Sequence, residues 1–380
     1  MSARYLMIGG FLGAGKTTAV TRFAKWLSER GEKIGLITND QGSQLVDSMT
    51  LRSHGFAVEE IAGGCFCCRF TSLKEAADKL TNDSKPTVFI AEPVGSCTDL
   101  VATVTYPLRR LYGSDFSVAP LSVLVDPHRA LRVFDLATSD DGKRFSDKVI
   151  YIYKKQLEEA DVIVINKREL ISDAEFAALD AALAANYPSA KRFAVSARSG
   201  DGLTAWFNYV NGSNQGAGTA MGVDYDTYAE GEALLGWFNA TVAVDVRQAA
   251  DADGNKLILA LMAAVQKPLT AAGAEIAHLK MTLAPDDGSN EIATANVVAG
   301  NRTAELAQSL SDDIERAQLI INLRAEGSPE LLQTVVDSAL AELERANQGL
   351  TLAVDHRECF RPGRPVPTHR FTESGAGAER

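Results

Sequence analysis

Eight residues close to the N-terminus constrain this chain most: Gly10-Phe11-Leu12-Gly13-Ala14-Gly15-Lys16-Thr17. They follow the apolar run Tyr5–Ile8 and precede the helical pattern Thr17–Arg30, so a strand passes through a glycine loop into a helix. The glycines let backbone N–H groups converge on phosphate oxygens without side-chain obstruction. The new helix adds its positive N-terminal end. In that setting Gly10, Gly13, Ala14, Gly15, Lys16, Thr17 and Thr18 form a nucleotide cradle. Lys16 is expected to reach the β- and γ-phosphates and Thr17 to ligate Mg²⁺.

The rest of the first half repeats that rhythm. Apolar runs at Ile34–Thr38, Val88–Ala91, Leu121–Val125, Asp161–Ile165 and Arg192–Val195 alternate with helical patterns at Ser72–Leu80, Thr98–Tyr112 and Lys148–Glu159. Unbroken apolar runs suit strands buried on both faces of a parallel sheet. The expected fold is therefore α/β, a doubly wound, mostly parallel P-loop domain.

At 380 residues the chain is too long for one ordinary core. The Gly/Ser/Asn-rich stretch 211–222 reads as a linker between a domain over 1–210 and a smaller α+β domain over 223–370. The expected strands of that smaller domain are Trp237–Val246, His278–Leu283, Ile292–Val298, Arg316–Leu323 and Thr351–Asp355. Its helices are Lys256–Ala271 and Pro329–Ala346, a ferredoxin-like pattern. Residues 371–380 read as a disordered tail. A net charge of −11 argues against non-specific nucleic-acid or anionic-membrane partners. No apolar run is long enough to span a bilayer and the N-terminus enters a strand without an apolar leader, so the expected compartment is the cytoplasm.

Ligands of open α/β sheets gather at strand carboxyl ends. Asp40 and Glu92 both fall there, with Gly95 three residues after Glu92. One is expected to hold Mg²⁺ through water and the other to orient the attacking water. Asn166-Lys167-Arg168-Glu169 follows the Asp161–Ile165 run, and Ser196-Ala197 follows the next. A carboxylate at Glu169 accepts from guanine N1–H and its exocyclic amine, an arrangement adenine does not offer.

Three of the five cysteines crowd into Gly63-Gly64-Cys65-Phe66-Cys67-Cys68. Thiolates suit Zn²⁺ and other soft transition metals, and this spacing is a ligand set, not a disulfide framework. For all three sulfurs to share an ion the chain must turn at Cys67–Cys68. Ser72-x-x-Glu75 signals a helix start just beyond. Structural zinc usually takes four protein ligands. Three are local here, so the site is open, shared across a homodimer, or completed by a distant group, with Cys97 the candidate. His356, Cys359 and His369 form a looser second candidate set.

In combination these residues resemble the CobW-type metallochaperone GTPases, relatives of the nickel-insertion GTPases of urease and hydrogenase. The resemblance rests on Gly9 through Thr18, Asn39-Asp40-Gln41-Gly42, Cys65-x-Cys67-Cys68, Glu92-Pro93-Val94-Gly95, and Gln156-Leu157 leading to Asn166-Lys167. It covers roughly residues 4 to 210 and implies GTP hydrolysis coupled to delivery of zinc or cobalt to a metal-requiring client protein. Three features depart from the family: Glu169 stands where the pattern has Asp, Thr87 where many members carry an acid, and the second domain lacks a His-rich stretch. Two further readings stay open, a nucleotide-gated metal sensor or scaffold and a P-loop small-molecule kinase with structural cysteines. Since the cysteine turn lies between Asp40 and Glu92 in the chain, metal affinity is expected to differ between the GTP and GDP states.

Overall fold

A computed structural model describes residues 2–39, 51, 54–137, 144–216, 220–248, 252–289, 291–298 and 303–373. Asp40, Gln41 and Gly42 lie outside them. The first layer of elements is β1 (Ala3–Gly10), α1 (Lys16–Ser28), β2 (Ile34–Asn39), β3 (Ala57–Ile61), α2 (Phe70–Ser84), β4 (Val88–Glu92), a π-helical turn at Val101–Thr105 running into α3 (Tyr106–Tyr112), β5 (Phe116–Val118) and β6 (Ser122–Val125). There follow α4 (Pro127–Val133), α5 (Asp147–Glu158), β7 (Val162–Ile165), α6 (Asp173–Asn186), β8 (Lys191–Ala194) and α7 (Leu203–Gly212).

The strands pair in the order β3-β2-β4-β1-β6-β7-β8, with β5 beside β1, and every pairing is parallel. This is the doubly wound sheet the sequence pattern predicts. Successive residues of β1 feed opposite cores, Tyr5 and Met7 one face and Leu6 and Ile8 the other. Burial on both faces is why these strands read as continuous apolar runs. On the α1/α7 face Phe23 stacks on Phe207 at 4.1 Å between ring centroids.

The second sheet is antiparallel, in the order β12-β11-β10-β13-β9-β14. Its strands are β9 (Leu235–Val246), β10 (Glu275–Pro285), β11 (Ala293–Val297), β12 (Glu305–Gln308), β13 (Arg316–Glu326) and β14 (Leu350–Phe360). Helices α9 (Gly254–Ala271) and α10 (Pro329–Ala346) share a core with it, built on Phe238, Val242, Leu261, Ile321 and Val336. Without the β11–β12 hairpin the order is β10-β13-β9-β14, that of a βαββαβ unit.

Two segments that the sequence gives to the second domain and the tail pack on the first. Helix α8 (Tyr225–Leu234) lies against α5, its Tyr228 buried in the first domain's core. Residues 364–373 run back along the cysteine turn.

Candidate nucleotide and metal site

The P-loop opens where β1 ends. Gly13 and Gly15 adopt φ of 78° and 88°, left-handed values that favour glycine. Gly15 is doubly constrained, because a Cβ there would stand 2.4 Å from Nδ2 of Asn166. The Thr17 hydroxyl donates to Oε1 of Glu92 at 3.0 Å, so the residue expected to hold Mg²⁺ meets the acid at the end of β4. Lys16 and Glu92 are both buried, and Thr18 is exposed on the first turn of α1.

Asn166 ties three loops together. Its Nδ2 donates to the Ala14 carbonyl at 2.8 Å, and its Oδ1 accepts from the Ala197 amide at 2.9 Å. Lys167, in left-handed backbone, donates Nζ to the Gly13 carbonyl and to Asp126 Oδ2, each at 2.8 Å. Buried Ser196 takes the Ser199 amide on its hydroxyl at 3.1 Å, shaping the turn after β8. Glu169 sits exposed on a single 3₁₀ turn, Arg168–Leu170, at the rim.

Two further residues of this network escape the sequence reading. Asp126 caps α4 by accepting the Arg129 amide at 3.0 Å. Burial opposes its charge, yet Lys167 and Arg129 hold its carboxyl well below the usual range. Buried Arg129 donates to the carbonyls of Leu12 at 2.6 Å, Ala277 at 3.0 Å and Val298 at 2.6 Å. One guanidinium therefore joins the P-loop to the second sheet. The signal was present in Asp126-Pro127, an acid followed by proline at the first helical position.

The cysteine turn is helical. Cys68 and Arg69 both donate their amides to the Cys65 carbonyl, at 3.0 and 2.9 Å, and Arg69 leads into α2. The chain does turn through Cys67–Cys68, but the turn is corrected to begin earlier, as one turn over Cys65–Arg69. The expected helix start at Ser72 is corrected as well: α2 begins at Phe70, because the cysteine turn itself supplies its nucleus. The Sγ atoms lie 2.8 Å (Cys65–Cys67), 3.2 Å (Cys65–Cys68) and 3.6 Å (Cys67–Cys68) apart. Cys65 and Cys67 are buried and Cys68 is half-buried.

Hydrogen bonding with Cys67, Cys68 and Cys97 holds the Cys65 thiol well below the usual thiol range. The same bond to Cys65 pushes Cys67 well up and Cys68 to about 11, while burial raises Cys97. Three soft donors within 4.8 Å of one another fit a metal ion. Cys97 touches Cys65 but lies outside that close trio. His356, Cys359 and His369 are not brought together: Cys359 donates to the Pro329 carbonyl at 3.0 Å, and His369 packs edge-on against Phe70 at 5.1 Å. Among the described residues the trio is the one such group.

Two segments from the carboxyl ends of strands approach the cysteine turn or the P-loop. Asn39, at the end of β2, donates Nδ2 to the Gly64 carbonyl at 2.6 Å, next to Cys65. The loop after Glu92 presses on the P-loop, where a Cβ on Gly95 would stand 2.9 Å from the Leu12 amide nitrogen. Gln156 clamps that loop from α5, donating to the carbonyls of Gly95 at 2.9 Å and Cys97 at 2.8 Å. From α8, Glu232 accepts the Ser96 hydroxyl at 2.6 Å.

Residues 4–193 match the CobW/HypB/UreG nucleotide-binding domain. The chain belongs to that family. It is 29% identical over 184 residues to a protein named zinc chaperone CobW from Sinorhizobium sp, covering 43% of this chain and 51% of that one. It is also 29% identical over 165 residues to zinc chaperone YeiR of Escherichia coli K12, covering 43% and 46%. This family member thus spans about half the length of the curated relatives it matches. Among solved structures it is similar to HypB from Helicobacter pylori in complex with nickel, with a TM-score of 0.41 and 18% identity over 56% of this chain and 86% of that one.

Proposed function

We propose that this chain is a GTP-hydrolysing metallochaperone. It binds a soft divalent metal through Cys65, Cys67 and Cys68 and hands it to a metal-requiring client protein under control of its nucleotide. Zinc is the first choice of cargo, in keeping with the names of its relatives, and cobalt the second. The observation that carries the reading is the Asn39–Gly64 hydrogen bond, which ties the end of β2, on the phosphate side of the sheet, to the cysteine turn.

In this reading the P-loop amides and Lys16 hold the triphosphate, and Glu169 selects guanine from the rim. Mg²⁺, held by Thr17, would neutralise charge developing on the phosphates. Of Glu92 and Asp40, one holds Mg²⁺ through water and the other orients the attacking water. Basal turnover is slow, as for GTPases that lack a supplied arginine.

Metal analysis of anaerobically purified protein, with and without GTP, tests this. The expected result is about one zinc per chain, lost in the Cys65→Ser/Cys67→Ser/Cys68→Ser variant, with free phosphate released from GTP in preference to ATP. Equal metal content in the triple variant, or tighter binding of ATP, would contradict it.

A further inference from the structure

Past Phe360 the chain leaves the second sheet and returns to the first domain. Pro362, Pro365 and Pro367 bar a helix and favour an extended path. Two arginines anchor this strap to α8: Arg361 donates to the Ala233 carbonyl at 2.6 Å, and Arg364 pairs with Asp226. The strap then lies along the cysteine turn. The Val366 amide donates to Cys68 Sγ at 3.2 Å, the Thr368 amide to the Cys67 carbonyl at 2.8 Å, and the Thr368 hydroxyl to the Cys68 carbonyl at 3.1 Å.

Further on, the strap grips the loop that follows Glu92. Arg370 donates Nε to Asp99 Oδ2 at 2.7 Å and Nη2 to Oδ1 at 3.4 Å, and the Phe371 amide donates to the Ala102 carbonyl at 2.9 Å. Asp99 is 1% exposed, sits in left-handed backbone with φ of 64°, and also accepts the Tyr225 hydroxyl at 2.7 Å. One segment therefore bridges the candidate metal turn and the loop that presses on the P-loop.

We propose that residues 364–373 form a latch on the metal turn, with Arg370 its positioning residue. Seated, the latch holds Cys68, the one partly exposed thiol of the trio, through the Val366 amide and covers the cysteine turn. Released, it opens that turn to metal exchange. Its key is the Arg370–Asp99 pair. A charge-assisted pair with one buried partner outweighs the neutral backbone bonds around it. Asp99 lies seven residues beyond Glu92, so a shift of this loop on nucleotide exchange reaches the latch directly. This inference rests on the metal-carrying reading above.

The test uses full-length protein loaded with Zn²⁺ and measures zinc transfer to a chromogenic chelator by stopped flow, in GDP and in a non-hydrolysable GTP analogue. Arg370→Ala should release zinc about tenfold faster, equivalent to ~1.4 kcal/mol of lost docking. Arg370→Lys should fall between the two. Nucleotide affinity should change less than zinc release does, because Arg370 meets the phosphate side only through Asp99, seven residues beyond Glu92. The difference between nucleotide states seen in the unsubstituted protein should shrink in Arg370→Ala. Release at the unsubstituted rate from an Arg370→Ala protein that still binds zinc would overturn the latch and leave the cysteine site standing. An unsubstituted protein that takes up no stoichiometric zinc would remove both.

Discussion

Asn39 donates its side-chain amide to the carbonyls of Ile61 and Gly64, at 2.9 and 2.6 Å, and so fastens the end of β2 to the residue before Cys65. Both bonds are buried or nearly so, where hydrogen bonds contribute most and their loss leaves a carbonyl without a partner. Asn39→Ala should therefore loosen the cysteine turn relative to the phosphate side. Titrating a GTP analogue with and without Zn²⁺ should show the metal's effect on nucleotide affinity falling towards unity in this variant, with zinc still bound. An effect equal to that of the unsubstituted protein would show that Asn39 is a local brace only.

Asn166 joins the P-loop to the turn after β8 through Ala14 and Ala197. Asn166→Ala leaves a buried carbonyl and a buried amide unpaired, at a cost of about 1–3 kcal/mol each. GTP affinity should fall at least about tenfold, and denaturant unfolding should show a stability loss of about 2–4 kcal/mol. Metal binding to the cysteines should persist, since none of the bonds lost touches them.

Glu169 is one methylene longer than the aspartate of the usual guanine-binding pattern and stands exposed on its 3₁₀ turn. Hydrogen-bond geometry tolerates only a few tenths of an ångström. Glu169→Asp should raise the preference for GTP over ATP by about tenfold. Glu169→Gln should erase most of the preference. Competition of both nucleotides for a fluorescent analogue measures each ratio.

Glu159 supplies a pH test. It is buried at the end of α5, accepts from the Thr98 hydroxyl at 3.2 Å and the Val101 amide at 3.1 Å, and burial pushes its pKa up to about 8. A carboxyl raised above its unfolded value binds its proton more tightly when folded. Its contribution is full below pH ~4.5 and is lost progressively as pH rises to about 8. The melting temperature of the unsubstituted protein should fall across that window. Glu159→Gln should flatten the fall, and a parallel curve in the variant would refute the assignment.

How much the sequence reveals depends on how local the determinant is. The P-loop is legible because its glycines carry their own conformational demand between a strand and a helix. Helix α10 is legible to its ends, since Ser328 caps it and Pro329 opens it. Helix α8 is not, because Gly231 interrupts its pattern. That glycine serves a close approach, where a Cβ would stand 2.5 Å from the Lys148 carbonyl on α5. The edge strand β3 carries Glu59 and Glu60 and reads as loop until its pairing with β2 is known. The strap's docking is not legible, because the groups that hold it, Asp226, Asp99 and the carbonyls of the cysteine turn, lie far from it in the sequence. The three sulfurs come together, and the turn that gathers them begins at Cys65, ahead of the Cys67–Cys68 step at which the sequence demands one.

The most direct test is the affinity of a non-hydrolysable GTP analogue for zinc-loaded and metal-free protein, paired with zinc affinity in the analogue-bound and nucleotide-free states. Coupled sites must shift each other by the same factor, expected here at about fivefold or more. Equal nucleotide affinity with and without zinc would contradict the claim that the thiols and the phosphate cradle communicate.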